Sequence, residues 1–321
     1  MPGSKVPRNA LAARRTNVSG GKDESAAQSE TMAKQRISLV LGSGGARGLA
    51  HIGAIRCLEA HGFEISYIAG CSIGALIGGI YAAGKLDAYA KWVCALQKRD
   101  VVRLLHWSFD RGAIFSDERI IAVLRDMVGE QSIEELPIGF TAVATEINDK
   151  REVWLSRGPL FEAIRASMAM PLIFAPVKRE GLVLVDGGLI NPVPIAPTLN
   201  DDTAWTIAVD LNGHAEQLEA TQRDVAKADE PLLRLRASIS QFIDDLIPRM
   251  PRDEPGYPGA VELALRSMDT MQTTIARMKL AAYTPKLVIE IPRNLCTFFE
   301  FDRATELIEF GYRRTEEALS K

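Results

Sequence analysis

The sequence predicts an α/β protein, with a mostly parallel central sheet flanked by helices on both faces. Three observations carry this. Short apolar runs of strand length alternate along the chain with longer runs at helical spacing. Two of the strand-like runs end abruptly in glycine-rich turns that open helices, Gly42–Gly48 and Gly70–Gly74. The order strand, helix, strand over residues 37–69 is a βαβ unit, which makes its two strands parallel and its crossover right-handed.

Taken in order, Ile37–Leu41 (ISLVL) is the first strand. A helix follows over Leu49–Ala60, with Leu49, Ile52, Ile55 and Leu58 on one side and Gly62 as its stop. Ile65–Ala69 is the second strand. The small residues of Ile73–Ala83 suit a helix packed close to a sheet. Leu86–Lys98 reads as a helix, Val101–Phe115 as irregular, and Asp117–Val128 as a helix capped by Ser116. Phe140–Glu146 and Arg151–Leu155 flank Asn148-Asp149 as a hairpin. Pro159–Met168 is a short helix opened by proline. Gly181–Val185, Trp205–Val209 and Lys286–Ile291 are further strands, and Ala304–Leu319 is a closing helix.

The 321 residues carry a net charge of −3, which gives no general basis for nucleic-acid binding. Cys57, Cys71, Cys94 and Cys296 lack metal-ligand or redox spacing, so reduced thiols and a cytoplasmic protein are expected, without zinc or disulfides. No run of about 18 apolar residues predicts a membrane span. Residues 1–36, with seven basic and three acidic residues, read as a disordered, weakly basic tail without the apolar core of a signal peptide. Residues 37–321 read as one catalytic domain, with 211–285 as a helical insertion or lid. In that insertion Leu232, Leu235, Ile239, Phe242, Ile243 and Leu246 form one apolar stripe. Val261, Leu265, Met268, Met271, Ile275 and Met278 form a second, expected to pack on the core or on the first.

The chemistry gathers at three turns. Gly70-Cys71-Ser72-Ile73-Gly74 is G-x-S-x-G, which sets a serine on a strained strand-to-helix turn with its hydroxyl exposed. An ordinary turn with a capping serine would share that pattern. Gly42–Gly48 fails as a dinucleotide loop, because Arg47 stands where the third glycine belongs, and it lacks the lysine of a triphosphate loop. It fits an oxyanion hole, since free N–H groups at a helix start are aimed donors. Asp186, at a strand end before Gly187 and Gly188, offers an exposed carboxylate, or else a turn cap. A serine needs a base. Of the four histidines only His214 follows Asp186, so Ser72 works either with Asp186 directly or in a Ser–Asp–His triad through His214.

These motifs, in this order, resemble the patatin-like phospholipase family. Gly42–Gly48 resembles its glycine-rich oxyanion loop, Gly70–Gly74 its nucleophile elbow, and Asp186-Gly187-Gly188 its D-G-[AG] signature. Arg165–Pro171 with Phe174–Val177, and Asn191-Pro192 after the aspartate, fit as well. The resemblance covers about residues 37–210. It implies a three-layer patatin-like fold and a lipid acyl hydrolase with a Ser72–Asp186 dyad, needing neither metal nor cofactor. It also implies an oxyanion hole from Gly44, Gly45 and Ala46. Gly42, Arg47, Gly48, Gly70, Gly74, Gly187 and Gly188 support the motifs, Arg47 by holding the loop or meeting an anionic head group. Its expected partners are a lipid ester and, peripherally, a membrane or micelle surface. Ser43 departs from the family's glycine and is expected to be tolerated. A patatin-like scaffold without catalysis remains the alternative outside enzymes.

Overall fold

The computed structural model describes residues 35–104, 106–107, 115–217 and 260–321. Residues 1–34 of the expected tail and the stripe at Leu232–Leu246 lie outside the described residues.

Strand β1 (Gln35–Leu41) leads through a 3-10 turn, Gly45–Leu49, into α1 (Ala50–Ala60). Then come β2 (Phe63–Cys71), α2 (Ile73–Ala82), α3 (Leu86–Ala95) and α4 (Lys98–Leu104). A two-residue pair, β3 (His106–Trp107) with β4 (Phe115–Ser116), precedes α5 (Glu118–Val128). The chain continues through β5 (Gly139–Glu146), β6 (Arg151–Leu155), α6 (Leu160–Met168), β7 (Val177–Arg179) and β8 (Leu182–Asp186). It closes with β9 (Trp205–Gly213), α7 (Ala260–Tyr283), β10 (Leu287–Pro292) and α8 (Ala304–Leu319).

The main sheet runs β10-β9-β1-β2-β5-β8-β7, with β6 also on β5. The run from β10 to β5 is parallel. Chain order reverses between β1 and β9, so the glycine loop after β1 sits at the switch point, where open α/β sheets place their ligands.

Alternation along β1 builds the two faces. Ile37, Leu39 and Leu41 join one buried cluster with α1, α2 and α8, whereas Val40 joins a second with Val193, Ile195, Ala208 and Ala276 of α7. Helices therefore cover the sheet on both sides.

The register of β5 decides where the site falls. On one edge β5 pairs with β6. On the other it pairs first with β2, ending at Cys71 opposite Val143, and then with β8, beginning at Asp186 opposite Ala144. Strands β2 and β8 thus run head-on along one edge, and their C-terminal tips meet.

Three expectations shift. The region from Val101 is helical to Leu104 instead of irregular from its start. Strand β9 runs on through Leu211–Gly213, because its pairing with β10 reaches Gly213 and Asp210 Oδ1 accepts both the backbone and the side-chain N–H of the polar Asn212. Helix α7 forms, but only part of its apolar stripe packs: Leu265 and Met268 lie against the cluster of Phe115 and Phe174, whereas Met271 and Met278 are 52% and 66% exposed and Gln272, Thr273 and Ala276 are buried in their place. Polar partners on the loops beneath it, described next, favour that face.

Candidate active site

Ser72 sits between β2 and α2 with φ 56° and ψ −123°, a conformation costly for any residue with a Cβ. Two features hold it. Gly74 permits α2 to fold back, because a Cβ there would lie 2.0 Å from the Leu41 carbonyl oxygen. Ser167 on α6 accepts the Ser72 N–H at 2.9 Å and donates its own hydroxyl to the Val143 carbonyl at 2.6 Å. Ser167, wholly buried, was missed as a site residue; its only sequence signal is its place in the Arg165-Ala166-Ser167 segment.

The Ser72 hydroxyl donates to Asp186 Oδ2 at 2.5 Å. The other oxygen, Oδ1, accepts the Gly188 N–H at 2.7 Å and faces the Cys71 thiol at 3.8 Å. Asp186 is 2% exposed. Burial raises its pKa from 3.8 to about 6, against the lowering pull of the Ser72, Gly188 and Cys71 donors. Burial, with Asp186 alongside, also keeps the Cys71 thiol protonated.

The glycine loop is fixed carbonyl by carbonyl. Gly42 donates its N–H to Val209, and its carbonyl takes a hydrogen bond from His51 Nε2 at 2.9 Å. Burial lowers the His51 pKa to about 4, so the ring is neutral and donates through Nε2. The Ser43 N–H donates to the Pro192 carbonyl, tying the loop to the segment after Asp186. Arg47, 6% exposed, donates through Nε to the Gly44 carbonyl at 3.1 Å. A trans peptide then points the Gly45 N–H the opposite way.

Among the described residues, no acceptor faces the N–H of Gly44 or Gly45. Ala46 differs from its expected role: its N–H is already given to the Phe298 carbonyl at 2.9 Å, so it is not a free donor. Gly45 has φ 57°, and a Cβ on it would meet the Phe298 ring at 2.5 Å. Gly48 lies against Ile73, which joins the loop to the elbow. Gly70 backs onto Gly74 and Ala75, and Gly187 onto Val143.

An apolar cavity starts at Gly45 and Ser72. It is walled by Trp92, Phe174, Phe298 and Phe299 among others, with no charged side chain. It suits a hydrocarbon chain placed beside the serine.

Three of the four histidines, His51, His61 and His214, stand apart from this group. His51 serves Gly42, His61 bonds the Cys57 carbonyl, and His214 is three-quarters exposed, 3.7 Å from Glu290. Among the described residues, no histidine is hydrogen-bonded to Ser72 or Asp186. Nor is any cluster of three or more His, Cys, Asp or Glu placed to hold a metal ion. No described helix is long and apolar enough to cross a membrane.

Residues 39–199 match the family model described as patatin-like phospholipase. An uncharacterised NTE family protein of Mycobacterium bovis is 40% identical over 329 residues, spanning 88% of this chain and 91% of that protein. The lysophospholipase nte1 of Emericella nidulans is 33% identical over 190 residues, 54% of this chain and 12% of that protein. Among solved structures, VipD from Legionella pneumophila aligns with a TM-score of 0.43 at 14% identity, over 90% of this chain and 67% of that one.

Proposed function

The chain belongs to the patatin-like phospholipase family, and from that premise we propose that it is a serine lipid acyl hydrolase of the phospholipase A or lysophospholipase type, working through a Ser72–Asp186 dyad. The observation that carries the reading is the 2.5 Å hydrogen bond from Ser72 to a buried carboxylate whose pKa is raised to about 6. Such a group is a stronger base than an ordinary aspartate and still ionised at neutral pH.

Asp186 Oδ2 takes the hydroxyl proton as Ser72 Oγ attacks the ester carbonyl carbon. The carbonyl oxygen becomes an oxyanion facing the N–H groups of Gly44 and Gly45; each such donor is worth about 3 kcal/mol in the transition state. As the tetrahedral adduct collapses, the alcohol or lysolipid leaves with the proton from Asp186. Water then attacks the acyl-enzyme, giving its proton to the same carboxylate, and the fatty acid departs as the proton returns to Ser72. The acyl chain lies in the apolar cavity. We place its action in the cytoplasm, in peripheral contact with a lipid surface. The four free cysteines and the exposed Met271, Met278 and Trp154 support that part of the reading.

The test is a panel of phospholipids, lysophospholipids and short-chain esters assayed against wild type, Ser72→Ala and His214→Ala, with fluorophosphonate labelling in parallel. Ser72→Ala is expected to lose turnover and labelling, and His214→Ala to keep both. Loss by several orders of magnitude in His214→Ala favours a triad, and an unlabelled, inactive wild type favours a binding scaffold.

A further inference from the structure

Helix α7 touches both halves of the site, yet the reaction above gives it no task. Gln272 is 6% exposed. Its Oε1 accepts the Ser43 hydroxyl at 3.3 Å, and its Nε2 stands 2.8 Å from where a Cβ on Gly188 would be. Asp269, three residues earlier and so on the same side of the helix, accepts Arg47 Nη2 at 3.0 Å. The same guanidinium holds the Gly44 carbonyl through Nε and the Arg293 carbonyl through Nη1 at 2.8 Å. Asp269 is therefore one link from the peptide that aims the Gly45 N–H. Further along, Lys279 bonds Glu152 at 2.6 Å, and Glu152 in turn accepts from Asn191. The helix is pinned to the segment after Asp186 as well as to the glycine loop.

We propose that Asp269 and Gln272 of α7 are positioning residues for the glycine loop: holding Arg47 and Ser43 from outside, they keep the Gly44 and Gly45 amides aimed at the carbonyl to be attacked. The proposal rests on the hydrolase reading above. Both residues lie beyond residues 39–199, which match the family. The physical reason is the fork of Arg47. A buried guanidinium that loses its carboxylate is left uncompensated and turns toward other acceptors. The Gly44 carbonyl turns with it, so the N–H of Gly45 swings off line. An amide displaced by a fraction of an ångström binds the ground state about as well as before and the transition state less well. The expected signature is a fall in kcat with KM little changed.

The experiment compares Asp269→Asn, Asp269→Glu, Gln272→Leu and Leu280→Ala in the full chain. Leu280 packs on the Val40 cluster away from the loop, so its variant loosens α7 without touching Arg47 or Ser43. Hydrolysis of a lysophospholipid, fluorophosphonate labelling rate, Tm and hydrogen exchange of the peptide covering residues 44–48 are measured. Asp269→Asn and Gln272→Leu are expected to lower kcat and the labelling rate about 10–100-fold, a fraction of what losing a whole oxyanion donor costs. KM should stay within about twofold, and exchange in the loop should quicken. Asp269→Glu is expected to recover most of kcat, and Leu280→Ala to lower Tm while keeping kcat. Unchanged loop exchange with kcat following Tm alone across all four variants overturns the role of α7. Wild type that neither turns over nor labels overturns the hydrolase reading instead, and the exchange data tell these two failures apart.

Discussion

Ser167 and Ser72 are joined through the backbone of one and the hydroxyl of the other. The N–H of Ser72 ends on Ser167 Oγ, whose own hydroxyl donates to the Val143 carbonyl. The relay occupies the amide of the nucleophile and braces a backbone with φ at 56°. Removing the hydroxyl leaves a buried N–H and a buried carbonyl unpaired, about 1–3 kcal/mol of stability. Ser167→Ala is expected to lower Tm and reduce kcat about 10–100-fold with KM little altered, read by steady-state kinetics and thermal unfolding. Ser167→Thr, which keeps the hydroxyl, should recover part of both.

The raised pKa of Asp186 sets the acid limb of the reaction. Only the ionised carboxylate can take the Ser72 proton, so kcat/KM should fall about tenfold per pH unit below about 6. A pH profile whose acid limb lies near 4 would mean that the free enzyme leaves Asp186 an ordinary acid.

The same burial gives a stability prediction of opposite sign to the catalytic one. The folded pKa of Asp186, about 6, exceeds its unfolded value of 3.8, so the folded state holds the proton more tightly. Its contribution is favourable below about pH 4 and is lost as pH rises through 6. At neutral pH the charge opposes folding by at most about 3 kcal/mol, from the size of the shift. Asp186→Asn is expected to be inactive yet more stable at pH 7 by about 1–3 kcal/mol. The gain should vanish near pH 4, as checked by urea unfolding at the two values.

Gly45 tests the loop directly. Its φ of 57° and the Phe298 ring, 2.5 Å from a built Cβ, leave no room for a methyl group. Gly45→Ala adds about 1–2 kcal/mol of backbone strain and pushes the loop off Phe298. Activity should fall at least about 100-fold, while Gly181→Ala, at a positive φ with open space around it, should cost stability alone. Activity assays beside thermal unfolding separate the two.

What could be read from the chain alone was what neighbours in sequence decide. Ala304–Leu319 forms over the residues its periodicity marks, and the elbow and the aspartate turn carry their own signatures. What escaped depends on contacts between distant segments. Ala46 looks like its neighbours until the Phe298 carbonyl, some 250 residues on, takes its N–H. The buried side of α7 is chosen by Ser43 and Arg47, whose hydrogen bonds draw Gln272 and Asp269 inward and leave Met271 and Met278 outside. Ser167 and His51 each lie on the buried side of a helix that carries other polar residues, and only the third dimension shows which backbone group each one serves.

The opposition of Asp186 to Ala144 makes sheet alignment part of the chemistry. Side chains alternate across a strand, so sliding β8 by one place along β5 would turn the carboxylate to the far side of the sheet. No adjustment of the flanking turns could bring it back to the serine. An insertion or deletion inside Leu182–Asp186 should therefore silence the protein even where it still folds, whereas length changes in the hairpin tip at Asn148-Asp149 leave that alignment intact.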